Sequence, residues 1–315
     1  MRINFVSSII LAHAVTTTLG ATYQRTSQLA GQTFLDAFSF QAISDPTHGR
    51  VTYVSKSTAE ADGLVSVAND KLTLRADHTT TLSSSGSGRK SFRIQSNSQY
   101  KTHVAIFDIE HMPQGCGTWP AILGANWPNE GEVDIVEGVN DQTPNKCSLH
   151  TSSNCTMPSS RSMTGTVDGT DCYAYDNSNA GCGVKINDTK SYGPKFNNKK
   201  GGWYAIERRS SYIKIFFWER TSGSVPSDVK SPGSSVNTSN WGKPAAYFPN
   251  THCDFSTHFG AHNIIINLTF CGDWAGSSSV YAASGCPSTC VDYVNNNPSA
   301  FNKAYFEFNS LNIYK

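Results

Sequence analysis

The chain has 315 residues, of which 38% are hydrophobic and 16% are charged, and its formal net charge is +1 at pH 7. This length allows one large β domain or two domains of average size. Because the net charge is small and no block of basic residues occurs, neither nucleic acid nor an anionic membrane surface is expected as a partner. A neutral ligand fits this composition better.

The first twenty residues have the pattern of a secretory signal peptide. Arg2 supplies a positive charge, residues 5–15 are mostly apolar, and small residues lie near Gly20. We expect cleavage after Gly20, with Ala14 as the second choice; the alternative is an ordinary N-terminal strand. Since the apolar run is too short to span a bilayer, it is not a membrane helix. The sequence predicts a secreted, extracellular protein whose mature part spans residues 21–315.

Short runs rich in β-branched and aromatic residues recur along the chain and are separated by Gly, Ser, Asn and Pro. Strands are predicted within residues 51–54, 72–75, 91–95, 104–111, 133–136, 203–208, 212–219, 263–270 and 305–314. Strands at this spacing, with almost no helical periodicity, are typical of an antiparallel β-sandwich or barrel. The best helical candidate is residues 290–296, and the Ser-rich segment 223–239 is predicted to be a surface loop. No linker divides the chain, so we expect a single domain.

Cysteines in a secreted chain are expected to form disulfides before they bind metal. No pair has the C-x-x-C spacing of a zinc site, so no metal site is predicted. Cys147–Cys155 and Cys172–Cys182 are plausible local pairs, although spacing alone does not determine connectivity. The count is odd and leaves one thiol, for which the isolated Cys116 is the candidate. The nine cysteines are Cys116, Cys147, Cys155, Cys172, Cys182, Cys253, Cys271, Cys286 and Cys290.

Four sequons for N-glycosylation also suit a secreted protein. They begin at Asn154, Asn187, Asn237 and Asn267. Asn267 lies within an apolar run that is predicted to form a strand, so we do not expect a glycan there.

One strand carries three acidic residues in a pattern that points to catalysis. Glu132 and Asp134 alternate with aliphatic residues and therefore share one face of the strand. Strict alternation would turn Glu137 toward the core, where an unpaired carboxylate is very costly. A β-bulge near Ile135 and Val136 would add one residue and return Glu137 to the polar face.

Paired carboxylates on one face suit glycoside hydrolysis. Retaining enzymes need carboxyl groups about 5–5.5 Å apart and inverting enzymes roughly 6.5–9.5 Å. The Cα atoms of Glu132 and Glu137 are expected on the order of 13 Å apart along the strand, which leaves both reactions open. Asp134 between them would raise the pKa of the acid by like-charge repulsion. A solvated edge strand is the alternative, but the full pattern, preceded by tryptophans, favours catalysis.

The segment from Glu132 to Glu137, Glu-Val-Asp-Ile-Val-Glu, resembles the bulged motif of the family 16 glycoside hydrolases, in particular the fungal laminarinase-like endo-β-1,3(4)-glucanases. Its bulged form is similar to that of laminarinases, whereas lichenases and wall-crosslinking transglycosylases have an unbulged form. The resemblance implies an all-β, concanavalin-like β-jelly-roll sandwich with a concave substrate cleft. Further similar segments are Asp45-Pro46-Thr47-His48-Gly49-Arg50-Val51, Gly117-Thr118-Trp119-Pro120-Ala121, Trp127-Pro128, Leu149-His150-Thr151, Asn267-Leu268-Thr269 and Gly272-Asp273-Trp274-Ala275-Gly276.

By this resemblance, Glu132 is the nucleophile, Glu137 is the general acid and base, and Asp134 orients and tunes them. The reaction retains configuration and needs no cofactor. Tryptophan rings bind the apolar faces of sugars, and the resemblance adds a cleft histidine. The expected substrate-binding residues are Trp119, Trp127, Trp274, His150, Asn126 and Arg93, while Trp203, Trp218 and Trp241 are assigned to the core or left open.

The substrate is expected to be β-1,3-glucan, with mixed-linkage β-1,3-1,4-glucan as a second one, and the protein is expected to be a monomer. Two other functions share the architecture. A non-catalytic sugar-binding sandwich does not need two aligned glutamates. A cell-wall transglycosylase keeps them but lengthens its products.

Overall fold

The computed structural model describes residues 21–127 and 129–315. The predicted signal peptide and Pro128 lie outside the described residues. Within these ranges the chain forms nineteen strands: β1 (Thr22–Leu29), β2 (Phe38–Phe40), β3 (Val51–Tyr53), β4 (Val65–Ala68), β5 (Lys71–Arg75), β6 (Arg89–Ser91), β7 (Arg93–Tyr100), β8 (His103–His111), β9 (Thr118–Ala125), β10 (Glu132–Glu137), β11 (Lys146–His150), β12 (Thr166–Val167), β13 (Val184–Lys185), β14 (Gly202–Arg208), β15 (Tyr212–Glu219), β16 (Ser235–Asn237), β17 (Ala246–Pro249), β18 (His262–Phe270) and β19 (Tyr305–Tyr314).

Helices are short and lie between the strands. Those in the described part of the chain are α1 (Gly31–Asp36), α2 (Lys56–Ala61), α3 (Gly193–Asn197), α4 (Ser227–Lys230), α5 (Phe255–His258), α6 (Gly272–Ala275), α7 (Ser278–Ala283) and α8 (Cys290–Asn296). Single 3₁₀ turns cover Asn177–Asn179, Thr189–Ser191, Thr238–Trp241, Asn250–His252 and Pro298–Phe301. No helix among residues 21–127 and 129–315 has the length and apolarity needed to cross a membrane. The predicted helix at residues 290–296 is confirmed as α8.

Two antiparallel sheets face each other. The β8 sheet has the order β16-β1-β19-β8-β14-β15-β17, with β5 also paired to β19 and β4 to β5. The β10 sheet has the order β12-β13-β11-β10-β9-β18-β7-β2. A short parallel pair, β3 with β6, lies outside both. The predicted antiparallel sandwich is confirmed.

The core fills the space between the two sheets. Alternate residues of each strand point inward, as the pleat requires, and the inward residues of β8, β10, β14 and β18 belong to one buried cluster. Examples are Phe107, Val133, Ile206 and Ile266, each with at most 3% of its surface exposed. Burial of such side chains contributes about 1.5–3 kcal/mol each. The opposite face of β10 and β18 is thereby free for polar side chains.

A second buried cluster covers the outer face of the β8 sheet. It contains Trp203, Trp218 and Trp241, together with Val229 and Val236. The prediction of a simple loop over residues 223–239 is wrong, because this segment contains α4 and β16, and β16 pairs with β1. Its few apolar residues are too widely separated to give a period, yet they anchor the segment against the tryptophans.

The disulfide pairs correct two expectations. The described cysteines form Cys116–Cys286, Cys155–Cys253, Cys172–Cys182 and Cys271–Cys290. The prediction for Cys172–Cys182 is confirmed, whereas the pair Cys147–Cys155 and the free thiol at Cys116 are wrong. Cys147, on β11, is the free cysteine of the described chain and is fully buried in the core. Four disulfides indicate an oxidising compartment.

The thiol of Cys147 is expected to be inert in the folded protein. It is fully buried, and burial raises the pKa of the thiol well above its usual range. Because the thiolate is the reactive form, a colorimetric thiol reagent should detect no thiol in the native protein and one per chain in denaturant without reductant. Cys147→Ser should give none in either condition. Reaction of the native protein would contradict this assignment.

Candidate active site

The register of β10 contains the predicted bulge. Glu132 pairs with Ala125 of β9 and Asp134 pairs with Leu123, but the next paired residue is Val136, opposite Ile122. Ile135 is therefore the additional residue. Its insertion returns Glu137 to the face that Glu132 occupies, so the bulge prediction is confirmed and its physical reason is the cost of burying a carboxylate.

A glycine lies at each end of β10, and neither position has room for a Cβ atom. Gly131 has a φ of 81°, and a Cβ there would lie 2.5 Å from the carbonyl oxygen of His258. A Cβ on Gly138 would lie 2.6 Å from the ring of Tyr192. Because both ends of β10 pack this closely against neighbouring segments, the positions of the catalytic candidates between them are fixed by the fold.

A cleft of about 1000 Å³ opens over the polar face of the β10 sheet. Its floor alternates between amide and apolar side chains along β18, where Asn263, Ile265 and Asn267 face the cleft. Leu123 of β9 packs beside Ile265 in a small apolar patch. Such a mixed floor can bind both the hydroxyl groups and the apolar faces of a sugar.

The structure brings the predicted site residues together. Asp134 lies beneath the cleft with 1% of its surface exposed, and the other predicted residues line the cleft. Those lining residues are Glu132, Glu137, Trp119, Trp127, Trp274, His150, Asn126 and Arg93.

Trp119 connects the aromatic wall to the carboxylates. Its Nε1 donates a hydrogen bond to Oε1 of Glu137 over 3.0 Å, and its ring meets the edge of Trp274 at a centroid distance of 5.6 Å. Trp127, with 43% of its surface exposed, lies 6.0 Å from the ring of His150. The tryptophans therefore stand on both sides of the carboxylate row.

His150 lies between the carboxylates and the cleft rim. Its Nδ1 is 2.8 Å from Oδ1 of Asn179, and its Nε2 is 3.1 Å from Oδ2 of Asp134. The second contact is short enough for an ion pair, but it lacks hydrogen-bond geometry, so neither oxygen of Asp134 has a hydrogen-bond donor among the described residues. On β7, Nε of Arg93 donates to Gln41 over 2.9 Å. At the rim, Asn126 donates to Glu130.

Burial and mutual repulsion raise the pKa of the carboxyl groups. Desolvation, followed by the charge of Asp134, raises the pKa of Glu137 to about 7. The pKa values of Glu132 and Asp134 are also raised above their ordinary range, mainly by burial, and for Glu132 also by the charge of Asp134. The cluster therefore retains a proton near neutral pH, as an acid catalyst requires.

Glu132, Asp134 and His150 each offer a donor atom, and these atoms lie within 4.8 Å of one another. Residues of these types can hold a divalent cation. The same cluster is also what a carboxylate-based glycosidase needs, and that chemistry uses no metal.

The cleft also contains residues that were not among the predicted site residues. Gln95, Asn263, Asn267 and Thr269 alternate along β7 and β18, so a period-two reading of these strands would have found them. Lys146 lines the cleft as well, and its Nζ lies 3.5 Å from Asp168. No local signal connects that pair, because the two residues are far apart in the chain.

Comparison with known proteins assigns the chain to a family. A sequence model of the XgeA-like catalytic GH16 domain matches residues 38–314. Laminarinase 16A from Phanerochaete chrysosporium, a GH16 enzyme solved with β-glucans (6-O-glucosyl-laminaritriose) in its donor and acceptor sites, is 56% identical. That match covers 94% of this chain and 100% of the other with a TM-score of 0.93, so the fold is the predicted β-jelly roll.

Two further proteins are similar. An elongating family 16 β-1,3-glucosyltransferase is 41% identical with a TM-score of 0.86, over 93% of this chain and 100% of the other. A probable endo-1,3(4)-β-glucanase of Aspergillus fumigatus is 42% identical over 98% of this chain and 48% of its own length. The chain spans about half the length of several curated relatives that it matches. With a family model matched over most of its residues, the chain belongs to glycoside hydrolase family 16, as a member of the XgeA-like group.

Proposed function

We propose that the protein is an endo-β-glucanase that hydrolyses internal β-1,3 and mixed β-1,3-1,4 glucosidic bonds with retention of configuration. The observation that carries this proposal is the bulge in β10, which sets Glu132 and Glu137 on one face of a large cleft between tryptophans. The names of the similar laminarinase and endoglucanases support the substrate class.

The reaction has two steps, and both Glu132 and Glu137 take part in each step. Ionised Glu132 attacks the anomeric carbon while Glu137 gives its proton to the departing glycosidic oxygen, and a covalent glycosyl-enzyme forms. Glu137 then takes a proton from water, which attacks the same carbon and releases Glu132. Each of the two displacements inverts the anomeric carbon, so the product keeps the β configuration.

The remaining residues of the site bind and tune. Asp134, buried beside Glu132, raises the pKa values of both glutamates by its charge and thereby helps Glu137 keep its proton. Trp119, Trp127 and Trp274 offer stacking surfaces to glucosyl rings. His150, Asn126 and Arg93 offer hydrogen bonds to hydroxyl groups. No cofactor takes part, and we propose that the protein acts as a secreted monomer.

The stereochemical course tests this proposal directly. Proton NMR of the purified protein with a soluble β-1,3-glucan should show β-configured reducing ends before mutarotation produces the α form. Prompt release of α ends would refute retention. If neither β-1,3-glucan nor mixed-linkage glucan gives a signal, the glucanase proposal fails in favour of another glycan or a binding role.

Transglycosylation is the second candidate, because a similar structure is that of an elongating β-1,3-glucosyltransferase. A transferase shares the first step but passes the glycosyl group to a sugar hydroxyl instead of water. Product analysis at high oligosaccharide concentration separates the two functions. Shorter products indicate hydrolysis, and products longer than the starting oligosaccharide indicate transfer.

A further inference from the structure

Strand β10 loses its partner on one side after Asp134, three residues before Glu137. β11 pairs with β10 at Glu132↔His150 and Asp134↔Ser148, and the pairing stops there. Continued for three more residues, the same register would set Glu137 opposite Asn145. The bulge at Ile135 prevents this, so the backbone groups of β10 beyond Asp134 need other hydrogen-bond partners.

The side chain of Asn145 supplies these partners. Its Oδ1 accepts a hydrogen bond from the backbone N–H of Glu137 over 2.9 Å, and its Nδ2 donates to the carbonyl oxygen of Ile135 over 3.0 Å. One amide group thus replaces two interactions of the missing ladder. The orientation of the amide is determined, because the opposite flip would set donor against donor and acceptor against acceptor.

Asn145 is itself held firmly in place. The residue is fully buried, its backbone N–H donates to Oγ of Ser191 over 3.0 Å, and its carbonyl oxygen accepts from the N–H of Ile186 over 3.0 Å. Ser191 in turn donates to the carbonyl oxygen of Asp188 over 2.6 Å. We call the two hydrogen bonds from the Asn145 amide to β10 the clamp. It is anchored in the turn of Asp188 and Ser191, which is separate from β10.

We propose that Asn145 is a positioning residue that sets the backbone of the bulge and, through it, the placement of the Glu137 carboxyl group. This role rests on the proposed function of Glu137 as acid and base. The carboxyl group of Glu137 accepts a hydrogen bond from Trp119, whereas Asn145 binds the backbone of β10. Trp119 orients the carboxyl group of Glu137, and Asn145 fixes the backbone of Glu137.

The consequence for the reaction is specific to proton transfer. A shift of about 1 Å in a catalytic group can cost on the order of 100-fold in rate. Displacing Glu137 impairs donation of the proton to the leaving group, whereas Glu132 keeps its ladder pairs on both sides. The defect should therefore depend on how much acid assistance the leaving group needs.

Two substrates with different leaving groups test the role. The leaving group of polysaccharide β-1,3-glucan is a sugar hydroxyl, which is poor and needs the acid. The dinitrophenolate group of a dinitrophenyl β-laminaribioside departs without protonation. For Asn145→Ala, kcat/KM on the glucan should fall about 10–100-fold, and kcat/KM on the aryl glycoside should change by less than about threefold. Because kcat/KM reports only steps through formation of the glycosyl-enzyme, the later use of Glu137 as a base does not enter.

Asn197→Ala is the matched control. Asn197 clamps Met112 in the same manner, accepting from its N–H and donating to its carbonyl oxygen over 2.9 Å each, but it lies away from the cleft. Its replacement should leave the ratio of the two kcat/KM values unchanged. If Asn145→Ala does not fold, Asn145→Asp keeps the acceptor for the Glu137 N–H, and its ratio should shift in the same direction by a smaller factor.

The outcomes are distinct. A folded Asn145 variant whose two activities fall together, or do not fall, would overturn the positioning role while the wild-type enzyme remains active. A wild-type protein inactive on both substrates would overturn the proposed function and with it this role. A selective loss on the glucan, absent in Asn197→Ala, supports the role, since loss of stability alone does not distinguish leaving groups.

Discussion

Glu132→Ser is expected to abolish hydrolysis of β-1,3-glucan while the fold and oligosaccharide binding persist. Without the carboxylate no glycosyl-enzyme forms, and loss of a nucleophile costs on the order of 10⁴-fold or more in kcat. The seryl hydroxyl is smaller than the carboxyl group it replaces, so the neighbouring strands are not crowded. Release of reducing ends measures the rate, and calorimetric titration with a laminari-oligosaccharide measures binding.

Glu110→Ser is the control for this substitution. Glu110 lies on β8 in the other sheet, where it forms a salt bridge with Lys71, 3.0 Å away. Its loss should cost at most about 1 kcal/mol of stability, as for a surface ion pair, and leave activity unchanged. Substantial glucan hydrolysis by folded Glu132→Ser would remove Glu132 from the role of nucleophile.

Glu137→Ala is expected to lower kcat/KM on the glucan by about 10²–10⁴-fold, the usual contribution of general acid catalysis. The pH profile should change as well. Glu137 must carry its proton while Glu132 is ionised, and the pKa values of both groups are raised, so wild-type activity should follow a bell-shaped pH profile whose alkaline limb reports loss of the Glu137 proton. In Glu137→Ala no proton is lost there, and the alkaline limb should disappear.

Azide separates this role from that of Glu132. The space left by Glu137→Ala admits the anion beside the anomeric carbon of the glycosyl-enzyme, where azide attacks without a base. Turnover of an activated aryl glycoside should increase with azide, and the product should be the β-glycosyl azide. An α-glycosyl azide would assign Glu137 as the nucleophile instead. Glu110→Gln, on the opposite sheet, should show neither the altered profile nor azide activation.

Much of β10 could be predicted from its own residues. The alternation of acidic and aliphatic side chains defines two faces, and the cost of a buried carboxylate at Glu137 requires a bulge near Ile135. The structure has the extra residue at Ile135. The limits of β15, β19 and α8 agree with the predicted ones for the same reason, since periodicity within one segment reports which face is buried.

Interactions between distant segments could not be predicted in this way. Cys155 pairs with Cys253, 98 residues later, and not with Cys147, which is nearer in sequence and stays a free, buried thiol. Lys146 of β11 meets Asp168, which directly follows β12, only because β13 pairs with both of these strands.

The sequence by itself determined the strand periodicity, the bulge and which carboxylates share one face of β10, because each depends on burial within one short segment. The tertiary structure decided which strands are neighbours, and hence the floor of the cleft, the disulfide pairs and the clamp from Asn145 to Glu137. That clamp exists because pairing between β10 and β11 ends at Asp134. Sheet order and register depend on the packing of the whole chain, and no short segment contains that information.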